Sequence, residues 1–190
     1  IEQYARKHTV DPFEFSLDTS LFCDVIICDY NYLFDPLVYL QRFFSERDDD
    51  NFFLVDEVHN LVSRSRDMYS AAVSDQPISA LLKLAKPDKS QPSDDLQREL
   101  KKVRRSFTRI SKTLIDDQVT EQVLPDPPDK LLRTLRTFNE FVTDWLAQQK
   151  PGPLLDAVRD YFFACLTFVK IGDLYDGSYQ TRFVLDGHHL

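Results

Sequence analysis

Glycine is scarce in this chain of 190 residues, which has four, and the first of them is Gly152. Residues 1–151 therefore cannot form a phosphate-binding loop of the G-x-x-x-x-G-K-[ST] or G-x-G-x-x-G type. Both loops need glycine, because the backbone must come close to the phosphates. We therefore expect no complete nucleotide-binding site in this chain.

Long apolar runs are also absent, and none comes near the roughly 18 residues that a membrane span requires. The three cysteines, Cys23, Cys28 and Cys165, form neither an even disulfide framework nor a C-x-x-C pair, which favours a reducing cytoplasm. Methionine occurs once, at Met68, and the chain begins with Ile1. These features lead us to expect a membrane-free, cytoplasmic piece of a longer protein.

Acidic residues outnumber basic ones by 31 to 23, which gives a formal net charge of −8. A surface of this overall sign repels phosphate backbones. Any contact with nucleic acid must therefore use a local basic patch.

Residues 1–62 have the pattern of an α/β layer. The runs Asp24–Cys28 and Asn51–Val55 are short and almost continuously apolar, as is typical of strands covered on both faces. An apolar-rich stretch to Phe44 and a charged loop, Ser45–Asp50, predict a crossover helix and a turn between them. We interpret residues 1–62 as a fragment of a parallel sheet, in which Cys23 and Cys28 are small buried residues.

Helical periodicity dominates residues 63–175. Leu61, Ser65, Met68 and Ala72 share one face, and a short helix begins near Ile78. Lys86–Asp95 is rich in proline and serine and predicts a mobile linker. Three longer helices follow, with apolar stripes that run from Leu96 to Leu114, from Leu131 to Trp145 and from Leu154 to Val169. The sequence thus predicts a mainly helical fold, a bundle inserted into the sheet fragment, with residues 176–190 returning to the sheet as a strand.

An acidic pair follows the second apolar run, in the sequence Asp56-Glu57-Val58-His59-Asn60. The carboxyl end of a buried parallel strand is where ligands bind in open α/β sheets. In nucleoside triphosphatases the first carboxylate of such a pair binds Mg²⁺ and the second orients and deprotonates the attacking water. The plainer alternative is a solvated turn after a strand, because D-E pairs are common.

The segment Phe52–Asn60, FFLVDEVHN, resembles the Walker B or D-E-A-H box of superfamily 2 helicases. The upstream segment Cys23–Pro36, CDVIICDYNYLFDP, resembles the one that precedes this box in the XPD-like and DinG-like iron–sulfur helicases. The resemblance implies that Asp56 coordinates Mg²⁺, that Glu57 is the catalytic base of ATP hydrolysis, and that His59 couples hydrolysis to movement. It also implies a helical Arch domain inserted after the box, which fits residues 63–175 in place and size.

One position departs from that family. The last cysteine of its iron–sulfur cluster commonly stands just before a proline, and the corresponding residue here is Asp11, before Pro12. Thiolates are the usual ligands of such clusters. We therefore predict no iron–sulfur cluster in this chain.

The helix that begins near Leu96 also carries an unusual charge. Residues 98–112 contain seven basic residues and one acidic residue. Five of them recur at helical spacing opposite the apolar stripe: Arg98, Lys102, Arg105, Arg109 and Lys112. Two interpretations remain open, a solvated outer face and a surface that follows the phosphates of single-stranded DNA.

Together these features predict a fragment of an ATP-dependent DNA helicase that moves 5′ to 3′ on single-stranded DNA, in DNA repair or replication. The fragment alone is expected to be inactive, because it has no Walker A loop. The alternative is a non-catalytic helical module that binds another protein. A G-x-x-x-x-G-K-[ST] loop in the sequence before Ile1 would decide for the helicase.

Overall fold

The computed structural model describes residues 2–37, 52–85, 91–187 and 189–190, with the backbone alone for residues 91–94. The chain divides into two compact units, Ile1–Tyr69 and Ser70–Leu190. The predicted crossover helix and charged loop fall largely within residues 38–51, outside the described residues. The described part is mainly helical and contains a small antiparallel sheet of two strands.

Short helices make up the regular structure of the described residues of the first unit. They are α1 (Glu2–His8), α2 (Pro12–Ser20), α3 (Asn31–Phe34), a 3₁₀ turn (Val58–Asn60) and α4 (Leu61–Met68). The α2 helix begins where it does because Asp11 caps it and Pro12 occupies its first turn. Tyr4 stacks on Phe15, with 5.2 Å between ring centroids, and so ties α1 to α2.

The prediction of two strands in this unit is wrong for the described residues. Neither 24–28 nor 52–55 forms a strand, and apart from the half-buried Val55 their apolar side chains are exposed, with Ile27 at 97% and Leu54 at 101%. Cys23 and Cys28 are likewise exposed rather than buried. The physical reason is that a strand exists only through hydrogen bonds to a neighbour, and no described segment of residues 2–69 pairs with either run. The parallel sheet is therefore not observed in these residues.

The second unit contains the long helices that the apolar stripes predict. They are α5 (Ile78–Leu84), α6 (Gln91–Asp116), α7 (Asp129–Leu146) and α8 (Pro153–Gly172), and α7 packs against both α6 and α8. The stripe of α6 is buried as expected: Leu96, Leu100, Val103, Phe107 and Leu114 are at most 1% exposed. One hydrophobic core joins the first four of these residues to Phe138, Val142, Tyr161 and Cys165.

Two predicted boundaries in this region are corrected. Residues 91–95, assigned above to a linker, form the start of α6, because serine and aspartate near a helix start favour the first turn. Residues 86–90, the other part of the predicted linker, lie outside the described residues. The first helix after the acidic pair ends at Met68, so Ala72 does not extend its face.

The sheet consists of β1 (Glu121–Leu124), which the sequence analysis missed, and β2 (Thr181–Val184). The strand predicted near the end of the chain is thus confirmed as a strand. Its partner is different, because β2 pairs antiparallel with β1 and Glu121 lies opposite Val184. The bidentate pair between Arg182 and Glu121, with an Nε–Oε1 distance of 2.7 Å, stabilises this register.

None of the described helices has both the length and the apolar character needed to cross a membrane.

Candidate functional site

The acidic pair lies in a tight turn between an irregular apolar segment and α4. Asp56 and Glu57 form the turn, and Val58–Asn60 continue as a single 3₁₀ turn directly into α4. The Asn60 amide donates a hydrogen bond to the Glu57 carbonyl at 2.9 Å. This local folding places Asp56, Glu57 and His59 together on the surface, and all three are exposed.

Glu57 has a left-handed backbone conformation, with φ 48° and ψ 37°. This conformation costs a non-glycine residue about 1 kcal/mol or more, and it persists only where neighbouring contacts hold it. The Glu57 amide donates to Asp56 Oδ1 at 2.8 Å. On the other side of the same peptide group, the Tyr30 hydroxyl donates to the Asp56 carbonyl. Hydrogen bonds at both the carbonyl and the N–H of the peptide group between Asp56 and Glu57 therefore hold the turn in place.

The side chains of Glu57 and His59 form a pair, with 3.2 Å between Oε2 and Nε2. Both remain open to solvent, since the His59 side chain is 72% exposed and that of Glu57 is 62% exposed. Within the described residues Glu57 Oε1 has no protein partner, so it is open to a water molecule.

The two carboxylates also fit the part that a protein plays in binding Mg²⁺. This ion is commonly held by one or two carboxylates together with waters and substrate phosphates. Asp56 uses Oδ1 for the Glu57 amide, while Oδ2 makes no hydrogen bond or ion pair with the described residues and is available to an ion. No group of three or more His, Cys, Asp and Glu side chains suited to a metal occurs in the described ranges.

The residues of this chain do not fit a four-thiolate iron–sulfur cluster. Asp11, at the position of the expected cysteine, accepts hydrogen bonds from the Phe13 and Glu14 amides, both at 2.9 Å, and caps α2. Cys165 lies in the core of the second unit, where burial raises the pKa of its thiol to about 12. Desolvation and the charge on Asp29 also raise the pKa of Cys28, although that residue is exposed. Neither thiol is poised to ionise.

The basic residues predicted on one face of α6 do lie on that face, and all five are exposed: Arg98, Lys102, Arg105, Arg109 and Lys112. Arg98 pairs with Asp95 at 2.7 Å and Lys102 with Glu99 at 2.8 Å. Among the described residues, Arg105, Arg109 and Lys112 have no acidic partner. Within the described residues, the C-terminal part of this basic face thus carries three cations without an acidic partner.

Sequence reasoning missed two contributors to the acidic turn, Tyr30 and Arg64. Arg64 lies over the Tyr30 ring, with Cζ 5.0 Å from its centroid. The separation of 26 residues between Tyr30 and Asp56 exceeds any local pattern. The only available signal was the segment Tyr30-Asn31-Tyr32 within the stretch that resembles the helicases.

Comparison with known protein families gives a match in the first part of the chain. The model of the DEAD_2 family matches residues 1–78, a range that includes the whole of the acidic turn. No curated protein and no solved structure matches the chain. The family match supports a DEAD-box-like, helicase-related domain in residues 1–78.

Proposed function

We propose that this chain is part of an ATP-dependent DNA helicase of the XPD-like and DinG-like group, carrying its D-E-x-H box and an Arch-like helical domain. The observation that carries the proposal is the DEAD_2 match across a turn that presents Asp56 and Glu57 to solvent, with one oxygen of each carboxylate without a partner among the described residues. Residues 1–62 would belong to the first motor domain and residues 63–175 to the Arch-like domain, and the β2 strand, which pairs with β1, would join the latter.

Each residue of the turn has a distinct task in this proposal. Asp56 would hold Mg²⁺ beside the phosphates of ATP, where the ion neutralises the charge that develops during phosphoryl transfer. Glu57 orients a water molecule through its open oxygen and accepts the proton of that water. His59 keeps the Glu57 carboxylate oriented and would transmit its state to the rest of the motor.

The basic face of α6 is the proposed path of the nucleic acid. Arg105, Arg109 and Lys112 are exposed and free of acidic partners in the described residues, as a surface that follows phosphates requires. In the complete protein this face would contact single-stranded DNA during 5′ to 3′ movement, in repair or replication in the cytoplasm.

A non-catalytic interaction module is the competing proposal. It is favoured by the second unit, which has a continuous hydrophobic core of its own. A helical unit of this kind can bind a partner without any contribution from the acidic turn.

The substitution Glu57→Gln in the complete protein separates the two proposals. Glutamine keeps the shape of the side chain but cannot accept a proton, so DNA-stimulated ATP hydrolysis should fall by about 100-fold or more. Binding of ATP should change little, which equilibrium binding of a fluorescent ATP analogue measures.

Glu140→Gln is the matched control, because Glu140 is exposed on α7 and belongs to the other unit. It should leave hydrolysis unchanged. Ordinary ATPase activity of Glu57→Gln would rule out Glu57 as the base and favour the interaction module.

A further inference from the structure

We infer that Tyr30 is a positioning residue for the acidic turn and acts through its hydroxyl on the peptide group between Asp56 and Glu57. The inference rests on the proposed function, because it assigns Tyr30 a part in the reaction for which Asp56 and Glu57 are proposed. Tyr30 is also the residue that joins the segment before α3 to a turn 26 positions later in the chain.

The contact is directed at the one peptide group that fixes both carboxylates. The carbonyl of this group belongs to Asp56 and accepts a hydrogen bond from the Tyr30 hydroxyl. The N–H of the group belongs to Glu57 and donates a hydrogen bond to Asp56 Oδ1 at 2.8 Å. Rotation of this peptide plane changes ψ of Asp56 and φ of Glu57 together, and the latter has the uncommon value of 48°. Without the hydroxyl, the plane is held on its N–H side alone.

Tyr30 is itself held in place by its surroundings. The Arg64 guanidinium lies 5.0 Å from the centroid of its ring, and Phe34 packs at a tilt, with 6.4 Å between centroids. Arg64 belongs to α4, which follows the turn, and α3 and α4 are in contact. The ring is therefore clamped between the helices on either side, and the hydroxyl has a fixed direction.

A positioning role of this kind affects the chemical step more than ground-state binding. The Glu57 carboxylate must meet a water molecule in one orientation, and reactivity depends steeply on such alignment. The phosphates and base of ATP, by contrast, gain most of their contacts from other groups. Loss of the hydroxyl should therefore lower kcat and leave the KM for ATP nearly unchanged.

The test is Tyr30→Phe in the complete protein, which removes one oxygen and keeps the ring on Arg64. The kcat of DNA-stimulated hydrolysis should fall by about 3- to 10-fold, with KM within about twofold. Amide hydrogen exchange in a peptide that spans residues 52–60 should become faster, because the peptide plane is released. Exchange in residues 96–114 should not change.

Tyr32→Phe is the matched control. Tyr32 is a half-buried tyrosine two positions away, and its hydroxyl makes no hydrogen bond with the described residues. It should leave both kcat and exchange at wild-type values. As a second variant, Arg64→Gln keeps the hydroxyl but loosens the ring, and it should lower kcat by less than Tyr30→Phe does.

The outcomes separate this inference from the proposed function. Wild-type kcat and exchange in Tyr30→Phe, or equal losses in Tyr32→Phe, would overturn the role of Tyr30 even if Glu57→Gln is inactive. If Glu57→Gln remains active, the proposed function fails, and hydrogen exchange alone then decides: faster exchange in Tyr30→Phe supports the clamp, and unchanged exchange overturns it.

Discussion

Leu54 and Leu100 both lie in apolar patterns, yet Leu54 is 101% exposed and Leu100 is fully buried. Leu100 belongs to α6, which forms its own backbone hydrogen bonds and finds packing partners in α5 and α7 of the same unit. Leu54 belongs to a run that needs neighbouring strands, and the described part of its unit contains none. An apolar pattern therefore leads to burial only where a packing partner is present. A helix forms its backbone hydrogen bonds within itself and then needs only a packing surface, whereas a strand also requires a neighbouring strand.

The largest effect expected from this comparison is on stability. Phe107→Ala removes a ring that is 1% exposed in the core of the second unit and should lower its free energy of unfolding by about 3–5 kcal/mol. Phe52→Ala removes a ring that is 93% exposed, and it should change that free energy by less than about 0.5 kcal/mol.

The single tryptophan reports on this unit selectively, because Trp145 is 6% exposed within its core. Urea unfolding of the chain, followed by tryptophan fluorescence, gives the free energy directly. Similar losses for Phe107→Ala and Phe52→Ala would contradict the contrast between the two regions.

A smaller effect distinguishes the two faces of α6. Reversing two cations, Arg105→Glu with Arg109→Glu, should weaken binding of single-stranded DNA by the complete protein. It should also flatten the slope of log affinity against log salt by about one unit or more, since each phosphate contact adds about 0.7. Stability should scarcely change, because both side chains are exposed.

Lys130→Glu with Lys150→Glu is the matched control, because it makes the same change in charge at exposed positions away from α6. It should preserve the salt slope. An unchanged slope in the Arg105 and Arg109 variant would leave the basic face as a solvated surface, whereas a melted protein would mean that these residues face the core.

The smallest effect is a pH dependence in the sheet. The hydrogen bond from Arg182 and its charge hold the pKa of Glu121 below the ordinary value of 4.5. A carboxyl with a lowered pKa in the folded state stabilises the protein above the ordinary value and loses this contribution as the pH falls through the lowered pKa. Because both side chains are exposed, we expect a small effect.

Thermal unfolding, followed by tryptophan fluorescence between pH 6 and pH 3, measures this contribution. Arg182→Gln should show a smaller drop in Tm over this range than the wild type. Arg133→Gln is the control, since Arg133 bonds a backbone carbonyl, that of Asp129. An identical pH profile for wild type and Arg182→Gln would show that the pair does not contribute.

The helices of the second unit could be predicted because their information is local. The spacing of Leu96, Leu100, Val103 and Phe107 identifies the buried face of α6 before any partner is known. The start of α6 was harder, because proline and serine occur in linkers and in first helical turns alike. The β1 strand was missed because Glu121–Leu124 is too short to show an alternating pattern that differs from a loop.

The order of residues alone determined that Asp56, Glu57 and His59 lie within one turn, since four consecutive positions cannot separate far. It also determined the basic face of α6, because helical spacing fixes which side chains share a side. Only the tertiary structure decided that Tyr30 holds the Asp56 carbonyl and that β2 pairs with β1. These contacts join residues far apart in the chain, and their partners are selected by packing and hydrogen-bond geometry that no local pattern encodes.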